Sequence, residues 1–184
     1  MKIVDSLTDP AVATCLHDGG IVIARTDTLY GMLAVAANEQ AVNRVYQLKD
    51  RDERKSPIVL ISRVDQLFDT PPDNVRAVME AEWPGPVSIS NPSTNAPMWI
   101  RRDNGRFAYR LPDYPELREL IGAVGPLAAP SANPEGEPPA MNIEEAIQYF
   151  GDEVDIYVDG GQVVDASPSR LLEVQTNGDI LRIR

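Results

Sequence analysis

Short apolar runs separated by amphipathic stretches constrain the fold of this chain more than any other feature. The runs IVIA (21–24), MLAVAA (32–37), IVLI (58–61) and VSIS (87–90) are strand-length and bounded by turn residues, the signature of buried strands. Between them lie segments with helical punctuation. Asp9 caps, Pro10 opens and Gly19 closes a helix over AVATCLHD. EQAVNRVYQLK repeats Ala41, Val45 and Leu48 at helical spacing and ends near Lys49. PDNVRAVMEAEW must stop at WPGP (83–86), because Pro84 removes a donor and clashes with the preceding turn. PELRELIG predicts a further helix, and so does IEEAIQYF, announced by Asn142 with Glu145 and stopped by Gly151. FAYRL, PLAA and VDIYV predict strands, and RLLEV and ILRI predict a closing pair joined by the turn TNGD. Helices and strands alternate early and strands crowd late, which gives an α/β fold with a twisted mixed sheet and flanking helices.

The totals narrow the class. A chain of 184 residues with 43% hydrophobic and 24% charged residues suits one globular domain over 1–184. Sixteen prolines spread along it imply sharp corners and many loops. No apolar run approaches the ~20 residues that cross a membrane, and MKIVDSLTDP lacks the form of a signal peptide. The single cysteine, Cys15, excludes an internal disulfide framework and makes a reduced, cytoplasmic setting the expectation. The net charge of −11 argues against a broad nucleic-acid surface. Yet eleven of the seventeen basic residues fall within 44–63 and 101–118. Two local positive zones in an acidic chain fit a small anionic ligand better than a long polyanion.

Several chemistries are excluded by missing parts. The only histidine, His17, sits near the end of the first helix and reads as a surface or capping residue, so Ser-His-Asp and Cys-His arrangements lack their base. Zinc sites need His and Cys clusters that do not occur. Neither GxxxxGK[ST] nor GxGxxG occurs. What remains is positioning and charge: Lys, Arg, Ser, Thr, Asn and backbone amides in loops, the groups that serve phosphoryl and nucleotidyl transfer. Four loops carry them: TDTLYG (26–31), KDR (49–51), RLP (110–112) and PSAN (130–133). Each also has a plain structural reading, as a turn former, a surface strand residue or a side chain bonded to its own turn. The run LKDRDERKSP places Lys49, Arg51, Arg54 and Lys55 among Asp50, Asp52 and Glu53. It is either a solvated helix end or an anion site.

Taken in order, ARTDTLYG, LKDRDERKSPIVLI, WPGPVSIS, YRLPDYP, APSANPEG and SPSRLLEV resemble the TsaC/YrdC family, the threonylcarbamoyl-AMP synthases, over residues 19–182. The resemblance implies a twisted sheet around a deep, positively lined cavity. It also implies formation of L-threonylcarbamoyl-AMP and pyrophosphate from L-threonine, bicarbonate or CO2 and ATP with Mg²⁺. A separate transferase would then move the threonylcarbamoyl group to a tRNA adenosine, and the chain itself would contact tRNA at most weakly. On this reading Lys49 and Arg51 hold the phosphates and stabilise the transition state. Ser56, Ser131, Asn133 and Arg182 join Arg51 at the ATP. Thr28, Tyr30, Arg110 and Ser169 form the threonine site, with Arg110 pairing the amino-acid carboxylate. No metal ligand from the protein is implied. The chain departs from the family pattern at three positions: Arg25 stands where proline precedes TDT, Ile61 where some members have a threonine-site histidine, and Arg170 where PST has threonine.

Three other readings stay open at this point. One is an RNA-binding or ribosome-associated protein without turnover, which the net charge opposes. Another is a carbamoyl-transfer relative, whose zinc-finger and acylphosphatase modules have no counterpart in this sequence. The third is a paralogue that uses another amino acid, which Ile61 and Arg170 leave open.

Overall fold

The computed structural model describes residues 1–102, 105–164, 167–175 and 177–184. Among these residues ten strands form one mixed sheet: β1 (Lys2–Val4), β2 (Val22–Arg25), β3 (Tyr30–Val35), β4 (Ile58–Leu60), β5 (Val87–Pro92), β6 (Arg106–Arg110), β7 (Leu127–Ala128), β8 (Ile156–Val158), β9 (Arg170–Val174) and β10 (Ile180–Arg182). Their spatial order is β1-β8-β2-β3-β7-β4-β6-β5-β9-β10. The pairs β1–β8, β2–β8, β4–β6 and β5–β9 are parallel, and the others are antiparallel. The helices are α1 (Pro10–His17), α2 (Glu39–Lys49), α3 (Asp73–Glu82), α4 (Met98–Arg101), α5 (Pro115–Val124) and α6 (Ile143–Phe150). None among the described residues is long and apolar enough to cross a membrane.

Local chemistry accounts for the helix ends that matter here. The Asp9 carboxylate accepts the Ala11 N–H at 2.8 Å, and Asn38 Oδ1 accepts the Ala41 N–H at 3.0 Å, so α1 and α2 begin on side-chain caps. Asp50 ends α2 in the left-handed region at φ 49°, with its N–H donated to Gln47 O at 3.1 Å. That reversal leads into residues 51–57, the connection from α2 to β4. Helix α2 buries Ala41, Val42, Val45, Tyr46 and Lys49. Lys49 therefore closes the inward stripe, one position beyond the Leu48 that the spacing suggested. Helix α3 stops at Glu82, ahead of Pro84. Two elements escape a sequence reading because they are so short: β1, which borrows its order from β8, and α4. The expected closing hairpin forms, with β9 and β10 antiparallel; within its turn, Thr176 lies outside the described residues.

Both faces of the sheet are covered. One cluster packs Leu16, Leu33, Leu60, Leu117 and Ile121; another packs Ile23, Met32, Ala132, Ala146 and Phe150. Ile61 is fully buried in a third, beside Val59, Tyr109 and Ala128. It is a core residue, and burial of such a side chain contributes about 1.5–3 kcal/mol. Gly31 brings the PSAN segment onto the sheet. Met32 N–H donates to Pro130 O at 2.9 Å and Ala132 N–H to Tyr30 O at 2.8 Å. A Cβ at Gly31 would lie 3.3 Å from Thr26 Cγ2 and 3.6 Å from Pro130 O.

Candidate functional site

Six chain segments meet at a cavity of about 320 Å³. Arg51 and Ser56 come from the loop after α2, Arg110 from the end of β6 and Ser131 from the loop after β7. Ser169 arrives just before β9, and Arg184 follows β10. Leu29, Ile58, Ala129 and Leu171 supply apolar walls. None of the described residues lining the cavity is acidic, in a chain of net charge −11. A larger cavity of about 570 Å³ opens between α2 and α4, but Glu39 and Glu53 there offset Arg54 and Arg102, so it lacks that charge bias.

The three arginines are held differently. Arg51 donates from Nη2 to Ser56 O at 3.2 Å and lies 5.6 Å from the centre of the Tyr46 ring; its buried Nε has no acceptor among the described residues. Arg110 is buried, with Nη2 3.2 Å from Asp27 Oδ1 and donating to Thr26 Oγ1 at 3.3 Å. The contact is an ion pair that does not close as a hydrogen bond, since neither Asp27 Oδ1 nor Arg110 Nε has a hydrogen-bond partner among the described residues; a bidentate fork is the strong form of this pair. Burial lowers the Arg110 pKa; Asp27 opposes that shift and Arg184 adds to it. Burial raises the Asp27 pKa, against the pull of Arg110 and of the Asp113 N–H donated to Oδ2 at 3.2 Å. Arg184 donates Nη2 to Ser169 Oγ and Nε to Ser169 O, each at 3.2 Å. Its pKa is lowered by burial and then by Arg51. The guanidiniums thus repel one another across the cavity, and an anion placed between them relieves that repulsion.

Lys49 does not line this cavity. Its buried Nζ donates to Ser131 O at 2.5 Å and to Asn133 O. It therefore pins the PSAN loop to the end of α2. Burial, helped by Arg51 and opposed by Glu135, brings its amine down to about 7. Ser131 Oγ donates to Asn133 Oδ1 at 2.6 Å, and Asn133 Nδ2 donates to Pro134 O and Glu137 O, each at 2.8 Å. The Asn133 side chain thus shapes its own loop. Ser56 Oγ donates to Arg101 O at 2.9 Å and Arg106 O at 3.2 Å, tying the two basic zones together.

The remaining expected residues separate into two groups. Ser169 is buried, shares its Oγ with Ser88 Oγ at 2.8 Å and faces the cavity. Thr28 lines an adjoining depression with Arg25, Asp27 and Arg170, its Oγ1 3.1 Å from Thr26 Oγ1. Tyr30 is not brought to the cavity. It is fully buried, its hydroxyl donating to Gly161 O at 2.8 Å and accepting the Gly160 N–H at 3.0 Å, so it fixes the loop after β8. Arg182 is exposed on β10, its Nε donated to Arg184 O at 3.1 Å. The arginine of this segment that enters the cavity is Arg184. Sequence reasoning missed Arg184 because Ile183 and Arg184 together face Leu171 of β9, a bulge that breaks the alternation after Arg182 and has no local sequence signal. It missed Asp27 as a partner because nothing local links it to Arg110. Among the described residues no group of three or more His, Cys, Asp or Glu could hold a metal ion.

Comparison with known proteins gives a consistent neighbourhood. The family model Sua5/YciO/YrdC, described as telomere recombination, matches residues 14–184. A threonylcarbamoyl-AMP synthase of Marinobacter nauticus is 35% identical over 164 residues, covering 86% of each chain. The crystal structure of P. abyssi Sua5 complexed with L-threonine superposes with a TM-score of 0.89 at 26% identity; all of this chain is covered and 56% of that one, so this chain spans little more than half of Sua5. E. coli YciO shares the fold, with a TM-score of 0.84 at 16% identity, covering 100% of this chain and 92% of YciO.

Proposed function

The chain belongs to the Sua5/YciO/YrdC family, and from that premise we propose that it is a threonylcarbamoyl-AMP synthase, a nucleotidyltransferase. It takes L-threonine, bicarbonate or CO2 and ATP to L-threonylcarbamoyl-AMP and pyrophosphate. The observation that carries the reading is the cavity with three arginines and no acid among its described lining residues. The neutral amine of threonine adds to CO2, giving a carbamate and a released proton. A carbamate oxygen then attacks the α-phosphorus of ATP, forming the mixed anhydride as the bond to pyrophosphate breaks. Both reactants are anions, so their approach requires fixed cations.

The roles divide along the cavity. Arg51 and Arg184 hold the phosphates, with the Ser131 hydroxyl beside them. Arg110 takes the threonine carboxylate on the part of its fork that Asp27 leaves free, with Ser169 and Thr28 completing that end. Lys49, Ser56 and Asn133 act through the loops they fix. Mg²⁺ is proposed to arrive on the ATP phosphates: with no carboxylate among the described lining residues, the protein offers it no cage, and magnesium commonly enters nucleotide sites through phosphate oxygens and water. The product is an activated carbonyl prone to hydrolysis, which favours prompt transfer to tRNA adenosine by a separate enzyme. The free thiol of Cys15 is in keeping with a cytoplasmic setting.

The test is incubation with ATP, Mg²⁺, L-threonine and ¹³C-bicarbonate, followed by mass spectrometry. The expected product is threonylcarbamoyl-AMP heavier by one mass unit than that from unlabelled bicarbonate. An adenylate without the label, or none with any amino acid, contradicts the reading.

A further inference from the structure

The two loops that bound the phosphate end of the cavity are pinned to each other twice. The inner pin is Lys49, whose amine reaches back to the carbonyls of Ser131 and Asn133. The outer pin is Glu135. Its backbone N–H donates to Lys49 O at 2.7 Å. One carboxylate oxygen accepts the Asp52 N–H at 2.6 Å, and the other takes the Lys55 ammonium. Glu135 therefore faces both ends of the segment that carries Arg51, while its own loop carries Ser131. Of the four cations in LKDRDERKSP, Lys55 is thus spent on the opposite loop and Arg54 pairs with Asp52 at 2.8 Å. Arg51 alone of the four lines the cavity.

We propose that Glu135 is a positioning residue for ATP: it straps residues 51–57 to the PSAN loop and so sets the separation between Arg51 and Ser131. The inference rests on the reading of this cavity as the ATP site. Without the carboxylate, the loop keeps its attachment at Arg51 N–H to Tyr46 O, 3.0 Å, and at Tyr46 Oη to Lys55 O, 2.5 Å. The expected loss is therefore partial. It is confined to the nucleotide end, because Arg110, Ser169 and Thr28 make no contact with Glu135. Since Glu135 and Lys55 lie at the surface, removing either leaves the core intact.

The experiment is titration of the full chain with ATP and Mg²⁺, without threonine or bicarbonate, for wild type, Glu135→Ala, Lys55→Met and the double variant. Amide exchange over 51–57 is followed in parallel. The expected result is unchanged melting, faster exchange over 51–57, and ATP affinity weakened roughly three- to ten-fold by Glu135→Ala. Lys55→Met should weaken it less, because the Asp52 N–H keeps its acceptor. The double variant should be no weaker than Glu135→Ala alone, and KM for threonine should stay at the wild-type value. Wild-type ATP affinity in Glu135→Ala overturns the inference while the nucleotide reading stands. Tighter binding also overturns it, because the carboxylate would then be a competitor of the phosphates. Failure of the wild type itself to bind ATP overturns the nucleotide reading and the inference with it.

Discussion

Arg51 and Lys49 stand two residues apart and do different work. Arg51 faces the cavity with a half-satisfied guanidinium, whereas Lys49 is buried under a loop and bonded to two carbonyls. Arg51→Ala is expected to abolish most turnover while melting close to wild type. Lys49→Ala is expected to lose turnover and stability together, by about 2–4 kcal/mol, because two buried carbonyls lose their donor. Comparing thermal or denaturant unfolding of the two variants separates these outcomes. Lys49 also carries a pH signature. Its amine titrates near 7 when folded and near 10.5 in its ordinary state. Between those values the unfolded chain binds the extra proton, so stability rises with pH. The penalty for burying the ammonium is present in full below about 7 and is relieved toward 10.5. Wild type should thus gain stability relative to Lys49→Met over that window, and a flat difference between the two curves would contradict the assigned environment of the amine.

At the scale of elements, the site depends on how β3 receives the PSAN segment. Gly31→Val would force a side chain against Thr26 and the Pro130 carbonyl, and is expected to cost about 1–3 kcal/mol. It should also raise KM for ATP, since Ser131 sits directly opposite Gly31; unfolding and initial-rate measurements on one preparation check both. This contact marks the limit of what the sequence reveals. Caps, spacing and prolines made α1, α2, α3 and α6 legible, because those signals are local. The burial of Lys49 was hidden: a lysine ending a helix reads as solvated unless a distant loop covers it. Asp27 with Arg110, and Glu135 with Lys55, are pairs eighty or more residues apart, which spacing cannot join. Tyr30 lies in a motif with hydroxyls that do reach the site region, yet its ring points to the loop after β8. Nothing in TDTLYG distinguishes the two directions. Arg184 takes the place of Arg182 in the cavity because the chain bulges against β9 there: Ile183 N–H donates to Leu171 O while Leu171 N–H donates to Arg184 O, which breaks the alternation of faces.

The whole molecule concentrates positive charge where its surface is negative overall. One ten-stranded sheet gathers Arg51, Arg110 and Arg184 from three distant parts of the chain. The field is therefore local and suited to a compact polyanion such as ATP rather than to a nucleic-acid backbone. Two consequences belong to this scale. KM for ATP should rise with ionic strength, and the chain alone should fail to retard tRNA in a gel at physiological salt. A stable tRNA complex under those conditions would contradict this reading of the field and favour an RNA-binding role. The most direct measurement is pyrophosphate release from ATP and Mg²⁺ by wild type and Arg51→Ala, with threonine and bicarbonate each omitted in turn. The expected result is release by wild type only when both co-substrates are present, and little from Arg51→Ala under any condition. Release that ignores threonine or bicarbonate, or that survives the loss of Arg51, would contradict the assignment of this cavity as the place where the carbamate meets ATP.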